Sequence, residues 1–174
     1  MTAPKPSLAA FRRDQKGATA VEFALLIGPF LFLLLGLMEV SMQYFIATAM
    51  DYSVQKTARL IRTGQAQESG LSVDDLRTTM CEHMLDIFDC TDNSYFSVTE
   101  LNSLSATSAA LPVNGSGDFI DSDIYEVGHG GSYIIVRGYF QFSPLFDIFG
   151  ALTPQLANGN RIVAASALFR NEPF

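Results

Sequence analysis

Residues Ala18 to Met38 make a run of twenty-one in which Glu22 is the one charged side chain, and the sixteen from Phe23 onward carry nothing more polar than methionine. About 20 residues of helix cross the hydrocarbon core of a bilayer, so the run reads as a membrane span. Lys5, Arg12, Arg13 and Lys16 precede it, whereas the next basic residue after it is Lys56. Basic flanks stay in the cytoplasm, which predicts a cytoplasmic N-terminus and an exported chain beyond residue 40.

Three kinds of segment share this hydropathy. A cleaved secretory signal has an apolar stretch of roughly 7 to 15 residues with a small-residue cut site close behind it. Ala47, Thr48 and Ala49 fit the cut-site pattern, but Glu39 and Gln43 separate them from the run. A plain signal anchor fits the length and leaves Glu22 without a role. An ionised side chain at membrane depth costs roughly 2.5 to 3.5 kcal/mol on insertion scales, so it marks either a functional residue or one seated at the cytoplasmic interface.

The surrounding residues favour the functional reading. A short basic leader ends in Gly17, and a cut there makes Ala18 the new N-terminus and Glu22 the fifth mature residue. This arrangement resembles the prepilin signal of type IV pilins. More closely, "RRDQKGATAVEFALLIGPFLFLLLGLMEVS" resembles the TadE-like family, minor pilins or pseudopilins of the tight adherence (Tad) pilus. The likeness rests on Gly17, the Val21-Glu22-Phe23-Ala24-Leu25 stretch, Pro29 within the apolar run, and Gly36 followed by Glu39. The closing "ASALFRNEPF" also resembles the family's ending, while the middle of the chain matches no known pattern. Asp14 is a departure, an acid inside the leader.

The resemblance implies a substrate of a prepilin peptidase cut between Gly17 and Ala18, with Glu22, Phe23, Pro29 and Glu39 as assembly residues. It implies as partners the major and minor pilins, the inner-membrane assembly platform and membrane lipid. In pilins the acid of an incoming subunit meets the free N-terminal amine of its neighbour, removing two unpaired charges from the apolar phase. Loss of a leader of net charge +3 would take the chain from −7 to −10. The anchoring basic residues would go with it, easing extraction from the membrane. The major pilin is not implied, because that subunit is little more than the N-terminal helix.

Beyond Glu39 the run becomes a stripe: Ile46, Met50, Val54, Ala58 and Ile61 recur at helical spacing opposite Thr48, Asp51, Gln55, Arg59 and Arg62. One helix from about Ala18 to Thr63, kinked at Pro29 and stopped by Gly64, is expected, its distal stripe packing under the protein's own head. The expected organisation is a leader over 1–17, an assembly helix over 18–40, its amphipathic extension over 41–63, and a head over 64–174.

Within the head, Ser72 and Asp75 form a capping-box pattern ahead of Val73, Leu76, Met80, Met84 and Ile87, predicting a helix from about 73 to the mid-eighties. Strands are expected at Tyr95 to Leu101, Tyr133 to Phe142 and Ile162 to Phe169. The stretch from Asn102 to Gly131 is long for a loop, and either hides a short strand or forms a partner surface. Three or four antiparallel strands against the long helix give an α+β, pilin-like fold. Cys81 and Cys90 would face an oxidising compartment. Nine helical residues would hold them about 13.5 Å apart, so either the helix ends before about residue 87 and the chain turns back, or they are not bonded to each other.

Other chemistries find little support. The net charge of −7, with no basic cluster beyond residue 16, argues against a general nucleic-acid surface. Asp118, Asp121, Asp123 and Glu126 lack the glycine and spacing of a calcium loop, and read as a solvated acidic loop. The glycines around His129 read as a turn before a strand, since no nucleophile motif accompanies them. No catalytic constellation, cofactor or metal site is expected. The alternative to a pilin is a permanently anchored periplasmic protein whose head binds a ligand or envelope component and whose Glu22 is incidental.

Overall fold

The computed structural model describes residues 17–84, 89–102, 111, 113–120, 124–147, 150 and 156–174. The leader before Gly17, Ile87, Asp121 and Asp123 lie outside the described residues.

Helix α1 spans Ala18–Arg62, 45 residues, and continues through Pro29. Leucine, alanine and methionine supply strong helix formers along it, and Pro29 is its one strong breaker. It stops where expected: the Thr63 amide bonds the Arg59 carbonyl at 3.0 Å and the Gly64 amide the Ile61 carbonyl at 3.1 Å. Gly64 takes a left-handed φ of 82°. A side chain there would be strained, and its Cβ would lie 2.6 Å from the Phe174 ring.

A short α2, Gln65–Glu68, leads to α3, Val73–His83, which ends earlier than a helix carried into the mid-eighties. Met84 is its C-cap. The Ser72 hydroxyl accepts from the Asp75 amide and the Asp75 carboxylate accepts from the Ser72 amide at 2.9 Å. The Ser72 hydroxyl and amide hold the Asp75 carboxyl below the usual carboxylate range. The early stop lets the chain turn back into α4, Cys90–Asn93, and brings the Cys81 and Cys90 Cα atoms to 5.5 Å, where a disulfide joins them. Of the two cysteine arrangements, the folded chain adopts the bridged one.

The sheet has three antiparallel strands in the order β1-β2-β3: Ser94–Leu101, Tyr133–Phe142 and Arg161–Arg170. The first starts one residue before the expected strand, and the third extends one residue beyond expectation at each end. The register sets Val98 against Val136 and Gly138 against Ala165. Phe96, Val98, Ile134, Val136, Phe140, Val163 and Ala167 are buried in one core with Ile46, Met50, Val54, Ala58 and Ile61 of α1 and Leu76 and Met80 of α3. Burying large aliphatic side chains contributes ~1.5–3 kcal/mol each. The stripe beyond Glu39 therefore does pack under the protein's own head. Gly138 lets helix and sheet approach closely, since a Cβ there would meet Met50 Cε and Val54 Cγ2 at 2.6 Å.

On the sheet's other face Phe119 stacks on Tyr95, with ring centroids 3.9 Å apart, and meets Tyr139 edge-on. Burial pushes the Tyr139 phenol up, against the downward pull of Arg137. The outer edge of β1 is covered at Val98, whose amide bonds the Ile124 carbonyl at 2.8 Å and whose carbonyl takes the Glu126 amide at 2.9 Å. So part of the long connection is a strand-like cover, ending in a parallel bridge between Val98 and Tyr125. The Tyr125 hydroxyl donates to the Leu71 carbonyl, and burial pushes that phenol up as well.

Candidate assembly helix

The first residues of α1 form an ordinary helix start: Gly17 lies in a turn and its carbonyl accepts from the Val21 amide at 3.1 Å. Nothing lies within 4 Å of where a Cβ on Gly17 would point. Glu22 and Pro29 are exposed. Around them Val21, Phe23, Leu25 and Leu26 are between 60% and 71% exposed, and the exposure of large apolar side chains continues through Phe30 to Leu34. A helix apolar all round is stable only with lipid or other helices against it. By length and composition this helix can cross a membrane. Among the described residues Glu22 makes no ion pair.

Glu39 stands in a different setting. It belongs to the second compact unit, Glu39–Phe174, and is 3% exposed. Its Oε1 lies 2.9 Å from Arg161 Nη1, and its Oε2 accepts from the Phe146 amide at 3.0 Å. Arg161, also 3% exposed, has Asp147 at 3.6 Å from its Nη2. The Nε of Arg161 has no hydrogen-bond acceptor among the described residues. Glu39 thus holds the base of the amphipathic half of α1 to the start of β3. A cavity of about 270 Å³ opens beside it, lined by Met42, Asp89, Asn93 and Gln141 among others.

The far end of the same helical half is also held. Arg62 Nε meets Glu172 Oε1 at 3.2 Å, and the Glu172 amide donates to the Arg62 carbonyl at 2.9 Å. Glu39 with Arg161 at one end, and Arg62 with Glu172 at the other, run in the same sense along helix and strand. Neither partner was evident in the sequence. Arg161 carried a signal, since it shares alternation parity with the buried Val163, Ala165 and Ala167. Glu172 carried none.

Among the described residues no three His, Cys, Asp or Glu side chains are grouped to hold a metal. Glu126 accepts from the Glu100 amide at 3.4 Å, and Asp118 lies in a turn with Asn114. His129 lies in a turn closed by the Ser132 amide bonding its carbonyl at 3.0 Å, ahead of β2.

Residues 17–59 match the family model described as TadE-like protein. Over that segment the N-terminal helix is similar to TadE-like proteins. The match covers Gly17, Glu22, Phe23, Pro29 and Glu39 and ends at Arg59, before the sheet begins. The likeness points to a pilin-like protein associated with the Tad pilus. No curated protein and no solved structure matches the chain.

Proposed function

We propose that this chain is a minor pilin, or pseudopilin, of a Tad-type adherence pilus, cut by a prepilin peptidase between Gly17 and Ala18. The observation that carries the reading is the TadE-like helix itself: an apolar segment exposed on nearly every side, with a carboxylate four residues after the proposed new N-terminus. In this reading residues 1–17 are a removable leader on the cytoplasmic side, 18–40 span the inner membrane and serve assembly, and the remainder forms a periplasmic head.

Cleavage would leave a free amine on Ala18 near the depth of Glu22. Opposite charges about 4 Å apart attract by roughly 1 kcal/mol in water and roughly 4 at the lower effective dielectric near a protein surface. A pairing available only between subunits, Glu22 of one with the Ala18 amine of the next, favours registered assembly over free diffusion in the membrane. Phe23 and Pro29 would shape the packing of neighbouring helices. Glu39 would act differently, fixing the head to its own helix. The partners are the prepilin peptidase, the major and minor pilins, the inner-membrane assembly platform and membrane lipid. The role is structural and needs no cofactor.

The test is the intact mass and N-terminal sequence of the membrane-extracted protein, with and without its prepilin peptidase. A new N-terminus at Ala18 only when the peptidase is present is the expected result. Retention of residues 1–17 in both samples would replace the pilin with a permanently anchored protein. Glu22→Ala should leave insertion intact and reduce recruitment into the pilus; full piliation in that variant would remove the charge-pairing step.

A further inference from the structure

The two edges of the sheet are finished differently. The outer edge of β1 is covered at Val98 by residues 124–126, and Glu126 also caps the Glu100 amide. No described segment pairs with the outer edge of β3. An open edge presents a row of unpaired amides and carbonyls, and soluble proteins blunt such edges with charge, proline or a bulge. From Ile162 to Phe169, β3 has no charge and no proline, so nothing in its composition opposes pairing.

Beside this edge lies a groove of about 560 Å³, walled on one side by Ser166 to Phe169 and on the other by Gln55, Arg59 and Arg62 of α1. Arg62 is neutralised by Glu172, whereas Arg59 makes no ion pair among the described residues. A cation without an ion pair, beside a strand edge without a pairing strand, both among the described residues, selects the shape and the local sign of what fits. Backbone pairing would supply affinity, and the arginine would supply choice of partner.

We propose that the outer edge of β3 receives an extended, acidic segment of a different protein, which adds to the sheet as a fourth strand and sets a carboxylate against Arg59. A second copy of this chain fits less well. Its own β3 edge, from Ile162 to Phe169, carries no carboxylate to set against Arg59. The β3 side of this surface lies beyond the TadE-like match, which ends at Arg59, and the proposal is independent of leader cleavage. A retained leader would end the pilin reading without touching this one.

The experiment places a photo-crosslinking benzoylphenylalanine at Leu168, which is 51% exposed, in the full-length protein in its native membranes. Adducts are then identified by mass spectrometry. The expected result is an adduct with a protein other than this chain, at a peptide containing Asp or Glu. Its yield should fall by about tenfold or more in Arg59→Glu and persist in Arg59→Lys. The same crosslinker at Thr99, beside the covered edge, should not capture that peptide. Adducts only with lipid or with a second copy, no adduct at all, or a yield indifferent to Arg59→Glu would each overturn the proposal. Formation of the Cys81–Cys90 bridge in every variant establishes that the head has folded.

Discussion

The two halves of α1 share a backbone and differ in what surrounds it. Up to Met38 the large side chains face outward: Leu33 is 69% exposed and Leu37 is 64% exposed. From Glu39 on, one stripe is sealed, with Met50, Val54 and Ile61 at 0%. The acids follow the same division, Glu22 exposed among apolar neighbours and Glu39 buried against a cation. A glutamate in an apolar helix therefore has no single meaning. One is exposed and makes no ion pair among the described residues, and the other is used within its own chain.

The sharpest test removes the carboxylate at position 39. Glu39→Ala removes the closer of the two acids on the buried Arg161, leaving Asp147 at 3.6 Å, and should cost about 3 kcal/mol of head stability in thermal unfolding of the detergent-solubilised protein. Glu22→Ala should leave that stability unchanged. Equal losses would erase the distinction between the two acids. Next comes a matched pair: Met50→Ala should cost about 2–5 kcal/mol, and Leu33→Ala under about 0.5, by the same measurement.

A smaller effect tests the turn that closes the second unit. Cys81→Ser with Cys90→Ser should lose about 2–3 kcal/mol, since the bridge closes a short loop, and a reductant should reproduce the loss. Smallest is the α3 cap, where Ser72→Ala should cost about 1 kcal/mol. The Asp75 carboxyl titrates lower in the folded protein than in the unfolded chain. Its contribution is therefore present above the ordinary carboxylate range and lost as acid carries the pH through the lowered value. Ser72→Ala should flatten that acid limb in a stability-versus-pH profile. The Tyr125 phenol titrates higher when folded, so its contribution is lost as the pH rises through its folded value.

Much of this arrangement was legible because it rests on periodicity. The stripe from Ile46 to Ile61 follows the 3.6-residue repeat, β2 matched its expected bounds, and Ser72 with Asp75 announced the start of α3. What escaped notice depends on contacts between distant residues. Whether the cysteines meet turns on where α3 stops, and the capping of that end by Met84 leaves no composition signal. The pairing of Glu39 with Arg161 spans most of the chain, and its sequence trace is only a charge on the buried parity of a strand. The cover on β1 lies within a stretch whose serines, asparagines and glycines read as loop.

The paired ties between α1 and the third strand also define how the head carries load. From Glu39 to Arg62 the helix rises about 35 Å, close to the length of an extended strand from Arg161 to Glu172. A pull entering at Glu39 along that helical segment reaches β3 lengthwise through Arg161. The hydrogen bonds between β2 and β3 then share the force together, in shear, instead of parting one after another as they would if the strand were peeled away.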